Sequence, residues 1–209
     1  MEITYLGHSC FKITGKKITV LTDPFDSEKI GIKLTKQDAD VVTVSHSHYD
    51  HNYLEAVKSE YLLLDSPGEY EIKESEFQGI IGFHDDTHGE ERGQITIFNM
   101  EIDGINICHL GDLGAELTGE QLDKVDGVDI LMIPVGGKFT IDAKQAVKVI
   151  NQIEPKIVLP MHYKAGKLTD LATLESFLQE FSVNPVPMDK LKVTNKDLPE
   201  ELEVIVLKY

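Results

Sequence analysis

The chain has 209 residues, 41% of them hydrophobic and 27% charged, enough to bury a full core without disulfide or metal staples and far from a disordered composition. Its formal net charge of −16 argues against a broad nucleic-acid or anionic-membrane surface, because clustered Lys and Arg are what attract such partners. No apolar run approaches the roughly 20 residues that span a bilayer, and Met1-Glu2-Ile3-Thr4-Tyr5 lacks the basic and apolar regions of a signal peptide.

We therefore expect one cytoplasmic domain over residues 1–209, with Cys10 and Cys108 as buried free thiols. In the first third, the runs Glu2 to Tyr5, Cys10 to Thr14, Lys17 to Thr22 and Val41 to Val44 are β-branched or alternating, lie between Gly or Pro turns, and predict strands. Gly15-Lys16 fits a tight hairpin, and Asp23-Pro24 closes the third strand because proline cannot donate to a ladder. A short helix is expected over Asn52 to Lys58, followed by a strand at Tyr61 to Leu64.

Further strands are expected at Tyr70 to Ile72, Phe77 to Phe83, Gln94 to Glu101 and Ile105 to His109, the last two joined by an Asp103-Gly104 turn. Beyond Asp112, Asp129 to Ile133 and Lys156 to Leu159 predict buried strands, and Leu202 to Leu207 a final one. Asp142 to Ile153 aligns Ala143, Ala146, Val147 and Ile150 on one helical face, with Thr140 or Asp142 as its cap. Asp170 to Phe181 aligns Leu171, Leu174, Leu178 and Phe181 in the same way. Many strands with a few late helices suit two stacked sheets flanked by helices, an αββα layering in the α/β class.

The chemistry concentrates in Ser45-His46-Ser47-His48-Tyr49-Asp50-His51, which follows directly on an apolar strand. Residues two apart on extended chain point the same way, so His46 and His48 can approach one ion together. As the chain then turns, Asp50 and His51 swing to a neighbouring position. One such histidine is most often an ordinary hydrogen-bonded residue; three imidazoles and a carboxylate in one turn bring little packing benefit and point to metal.

This motif resembles the metallo-β-lactamase superfamily signature His-x-His-x-Asp-His, and the resemblance runs over nearly the whole chain. Gly7-His8-Ser9-Cys10-Phe11 and Leu21-Thr22-Asp23-Pro24-Phe25 look like the opening of the branch containing ascorbate-6-phosphate lactonase-like and N-acyl-phosphatidylethanolamine phospholipase D-like enzymes. His109-Leu110-Gly111-Asp112-Leu113-Gly114 resembles the segment that supplies a bridging carboxylate, and Pro160-Met161-His162-Tyr163 the one that supplies the last histidine.

The resemblance implies a four-layer αββα sandwich with two divalent metal ions. His46, His48 and His84 would hold one ion, Asp50, His51 and His162 the other, and Asp112 would bridge them. His88 competes with His84 in Phe83-His84-Asp85-Asp86-Thr87-His88; we prefer His84 because it directly ends an apolar strand. For Asp23 the alternatives are a carboxylate that orients a ligand histidine and an ordinary Asp-Pro turn. His8 is placed either at the pocket mouth or as a structural histidine, and His109 either near the site or as a structural one. Lys138, Tyr163 and Asp86 are weaker pocket candidates, and Gly136-Gly137 reads as a flexible turn rather than a phosphate cradle.

Two cations roughly 3.5 to 4 Å apart can share a water, lower its pKa and present hydroxide to carbon or phosphorus, so hydrolysis is the expected chemistry, with Asp50 or Asp112 taking up a proton. Imidazole-rich ligation makes zinc the default, with manganese or iron compatible through the carboxylates. Position 48 carries His where the oxygen-reducing di-iron relatives carry Glu, which favours hydrolysis over redox work. The expected substrate is a small ester, lactone or phosphoester. The alternatives are a phosphodiesterase acting on nucleic acid or phospholipid, for which no docking surface is evident, and a non-catalytic metal-binding or regulatory module on the same fold.

Overall fold

A computed structural model describes residues 1–209. The strands are β1 (Glu2–Gly7), β2 (Cys10–Thr14), β3 (Thr19–Thr22), β4 (Val41–Thr43), β5 (Leu62–Leu64), β6 (Gly68–Ile72), β7 (Ser75–Phe83), β8 (Gln94–Ile102), β9 (Ile105–His109), β10 (Ile130–Pro134), β11 (Ile157–Met161), β12 (Leu191–Lys192) and β13 (Glu203–Val204). Four helices accompany them: α1 (Ser27–Ile30), α2 (Gly119–Leu122), α3 (Ala143–Ile153) and α4 (Leu174–Glu180).

The strands form two mixed sheets, ordered β12-β1-β2-β3-β4-β5 and β13-β11-β10-β9-β8-β7-β6. Alternation of side chains along each strand builds the layers. Val20 and Val41 join the large core between the sheets. Their neighbours Leu21 and Val42 point outward, into a second apolar cluster with Phe25 and Ile30 of the α1 region. On the opposite flank α3 and α4 cover β10 and β11, whose residues are all buried because both faces are covered. The architecture is the expected αββα sandwich, with the α1 layer reduced to one helical turn and packed loops.

Several local expectations change in the folded chain. The Asn52 to Lys58 helix shrinks to a 3-10 turn at Leu54–Ala56, because Asn52 donates its side-chain amide to the Ser47 carbonyl (2.8 Å) instead of capping. Tyr53 N also bonds to Pro24 O (2.7 Å), and Val57 goes extended to bridge Gln37. α4 begins four residues later than its apolar pattern suggests, because Ala172 donates its N–H to Gly136 O (2.8 Å). The β2–β3 hairpin closes over four residues, with Gly15 N bonded to Ile18 O (2.8 Å). Asp103-Gly104 forms the expected turn with both residues at positive φ, and so does Lys73-Glu74, a two-residue turn without glycine that lengthens both β6 and β7. Asp142 caps α3 through Gln145 N and Gln145 reciprocates; α2 carries the same box at Thr118 and Gln121, a signal present in the sequence and missed.

What positions the site is strand direction. β1, β3 and β4 run the same way in the first sheet, and β7, β9, β10 and β11 in the second. Their C-terminal ends meet at one rim, sewn together between sheets by His162 N to His8 O (2.8 Å) and Thr96 N to Ser45 O (2.7 Å). Two glycines allow backbones to touch there: a Cβ on Gly114 would overlap the backbone of His84 and Asp85, and one on Gly136 would overlap His162 O. Gly114→Ala should therefore lower the urea midpoint, costing about 1–3 kcal/mol as overpacking, with the near-ultraviolet spectrum around the rim altered.

Candidate metal centre

Each expected ligand follows the end of one of these strands, His46 to His51 after β4, His84 after β7, Asp112 after β9 and His162 after β11, and so do the pocket candidates His8, after β1, and Asp23, after β3. Short turns after parallel strands let chain segments far apart in sequence present side chains into one crevice. The donor atoms fall into three overlapping groups: His46, His48 and His84; His8, Asp50, His51 and His162; and His46, His51 and Asp112 between them.

Asp112 occupies the middle. Its Oδ2 lies 3.2 Å from His51 Nε2, 3.2 Å from His162 Nε2, 3.5 Å from His84 Nε2 and 3.9 Å from His46 Nε2. In the first group His46 Nε2 and His48 Nδ1 stand 2.9 Å apart, and the His84 ring centre is 4.9 Å from that of His46. His88 is elsewhere, with its ring against Phe83 at 5.4 Å between centres. In the second group the Asp50 carboxylate sits 3.7 Å from His51 Nε2 and 3.1 Å from His8 Nε2.

Asp23 has the orienting geometry rather than that of a simple turn. Its buried carboxylate accepts from His51 Nδ1 (2.8 Å), Ser45 N (2.7 Å) and Ser45 Oγ (2.6 Å). Because Ser45 spends its hydroxyl proton on Asp23, its oxygen accepts from His46 Nδ1 (2.9 Å). One carboxylate thus fixes two tautomers, leaving the Nε2 lone pairs of His46 and His51 directed into the cluster. Ser45 stood in the motif without a role assigned to it.

His8 is not at a pocket mouth: it is fully buried within the second group, since Tyr5 Oη (2.7 Å) and His162 N (2.8 Å) both donate to its carbonyl and hold it inside. His109 has the structural geometry, donating from Nε2 to Ser9 O (2.9 Å) and accepting from Gly111 N at Nδ1 (3.2 Å), so neither nitrogen is free for an ion. Lys138 is exposed and paired with Asp170, Asp86 is exposed, and Tyr163 packs beside Tyr5.

The electrostatics suit a cation. Burial opposes ionisation of Asp112, but His162 and His51 outweigh it and hold the carboxyl well below its usual range. Asp50 is likewise lowered, its His8 hydrogen bond and the His51 charge overcoming burial. Burial, assisted by the His51 charge, pushes His46 down to about 3, and burial with the His162 charge pushes His8 down to about 4. His51 goes the other way, raised against burial by Asp112 and Asp23. Anionic carboxylates thus stand beside the neutral imidazoles of His46 and His8, around a place where positive charge, here carried by His51, is favoured. Asp112 Oδ1 and His51 Nε2 are buried without hydrogen-bond partners. An unsatisfied buried polar atom costs about 1–3 kcal/mol, and divalent cations are the group that this donor set fits. Asp23→Asn should weaken zinc affinity about 10–100-fold, measured by chelator competition, with the circular dichroism spectrum preserved.

Comparison with known proteins places this geometry in a family. The β-lactamase superfamily domain matches residues 2–162. The chain is 29% identical over 191 residues to a UPF0173 metal-dependent hydrolase of Carboxydothermus hydrogenoformans, covering 78% of this chain and 84% of that protein. It is 31% identical over 188 residues to another from Thermoplasma volcanium, covering 78% and 83%. A solved structure of a Thermotoga maritima protein of the metallo-β-lactamase superfamily superposes with a TM-score of 0.82 at 36% identity, covering 99% of this chain and 97% of that one. The chain belongs to the β-lactamase superfamily, among the UPF0173 metal-dependent hydrolases.

Proposed function

We propose that this chain hydrolyses a small ester, lactone or phosphoester at a binuclear centre, with zinc as the default metal and manganese or iron also compatible with its donors. The observation that carries the reading is the central position of Asp112 between two donor groups, each complete enough to hold its own ion. In this assignment His46, His48 and His84 would hold one ion and Asp50, His51 and His162 the other, with Asp112 placed to serve both. Paired divalent ions supply Lewis acidity and an acidified water.

The chain's own residues do the rest. Asp23 and Ser45 keep His46 and His51 in the tautomers that ligation needs. Asp50 is the better proton holder of the two catalytic carboxylates, because Asp112 is enclosed by four imidazoles whereas Asp50 is more exposed and has a hydrogen-bonding partner in His8. His48 is exposed while His51, His84 and Asp112 are buried, so substrate arrives from the His48 side.

No helix is long and apolar enough to cross a membrane. The buried free thiols Cys10 and Cys108 favour the cytoplasm as the setting of this activity. The charge of −16 keeps a small molecule ahead of nucleic acid as the substrate.

Elemental analysis of protein purified without added metal should find about two equivalents, with one lost in each of His48→Ala and His162→Ala. Chelation should abolish hydrolysis in a screen of lactones and phosphodiesters, and added zinc or manganese should restore it. Metal retention without any turnover would favour the non-catalytic module instead. Asp112→Asn should lose more than about 100-fold in kcat; full turnover with both metals retained would remove Asp112 from its catalytic role.

A further inference from the structure

Two loops rise from the rim of the metal centre and meet outside it. The first begins at His84 and is folded around Asp85, whose carboxylate accepts from Thr87 N (2.9 Å), Thr87 Oγ1 (2.9 Å), Gly89 N (2.7 Å), Glu91 N (3.1 Å) and Arg92 N (2.7 Å). The second leaves β10 at Gly136, against His162, and returns with Ile141 N bonded to Leu113 O (2.8 Å), next to Asp112. At their meeting point the Arg92 guanidinium lies 4.6 Å from the Phe139 ring centre.

Arg92 is the one arginine in a chain with 36 Asp and Glu residues, yet it makes no ion pair. Lys138, which shares the Phe139 ring, is already held by Asp170. Glu91 borders the same cleft without pairing to Arg92, so the guanidinium donors stay free. That cleft, about 450 Å³, is lined by His48, Glu91 and Arg92, and its volume suits a small molecule. A guanidinium is always charged, presents a planar fork that matches carboxylate or phosphate oxygens, and stacks on aromatic rings. Here the guanidinium lies against the ring and the Asp85 loop holds the Arg92 backbone N–H, which reduces the side-chain freedom to be lost on binding.

We propose that Arg92, backed by Phe139, is an anion-binding subsite beside His48 that selects substrates bearing a carboxylate or phosphate away from the bond to be cut. Its role in substrate selection rests on the hydrolase reading above; the anion site itself does not.

The test uses metal-replete protein and calorimetric titration with benzoate and phenyl phosphate, with benzyl alcohol as the uncharged counterpart. Arg92→Gln should weaken both anions about tenfold or more, Arg92→Lys should recover part of the loss, and added salt should weaken the wild type. Lys17→Gln, which removes one charge at the β2–β3 hairpin, should change nothing. Unchanged anion affinity in Arg92→Gln, or an equal loss in Lys17→Gln, overturns the proposal. A carboxylated lactone and its uncharged counterpart then separate the two readings. A preference in kcat/KM for the charged lactone that falls in Arg92→Gln supports the subsite, and one that survives intact overturns it. Anion affinity that depends on Arg92, with no ester, lactone or phosphoester turned over, leaves the subsite standing and removes the hydrolase reading.

Discussion

A single buried carboxylate oxygen, Asp112 Oδ2, faces four imidazole nitrogens between 3.2 and 3.9 Å away, and much of the sandwich can be understood as the means of tolerating that arrangement. So much polar surface cannot be buried against apolar side chains without compensating charge or ligation. The fold places it where parallel strands from two sheets end together, so that the loops carry the polar groups and the strands keep the apolar core continuous beneath them. Burial strengthens the field that each carboxylate exerts on its neighbours. Against the cost of burial, Asp112 and Asp23 drive His51 towards positive charge, whereas for His46 and His8 burial itself, with the charge of a neighbouring imidazole, wins and drives them away from it.

Asp23 extends this control outward. It touches no residue of the first donor group directly, yet through Ser45 it sets the proton position on His46, and by direct contact it sets that on His51. One residue at the end of β3 therefore governs a histidine in each half of the centre. The backbone shares the strain, since His8, Asp23 and His162 all have positive φ. Residues with side chains occupy such conformations at a cost that surrounding contacts must offset, and the cross-sheet hydrogen bond between His162 and His8 is one of those contacts.

In the loop between His84 and Arg92, shape comes from hydrogen bonds rather than apolar packing. The five donors gathered by Asp85 shape a loop with little regular structure and join His84 to Arg92. Asp85 is held well below the usual carboxylate range, because backbone donors such as Arg92 N and Gly89 N outweigh its desolvation. The wall of the cleft and His84 beneath it consequently belong to one folded unit.

Much of this was legible in the chain alone, because the information was local. His46, His48, Asp50 and His51 lie within one turn, and strand alternation and helical spacing reveal the two sheets and α3 without reference to distant partners. The Asn52 helix failed because a tertiary bond to Pro24 and a side-chain bond to Ser47 took the place of helical pairing. His84 and His88 are equally plausible donors by residue type; the end of β7 and the turn around Asp85 bring one to Asp112 and send the other to Phe83. By itself the sequence determined the donor types, the strand-rich layering and the chemistry that such donors attract. Tertiary structure alone decided that His8 lies inside, that His109 is satisfied by backbone, that Ser45 relays Asp23, and that Arg92 meets Phe139. Each of those contacts joins segments on different strands or loops, and spacing along a chain carries no record of which strand ends will meet.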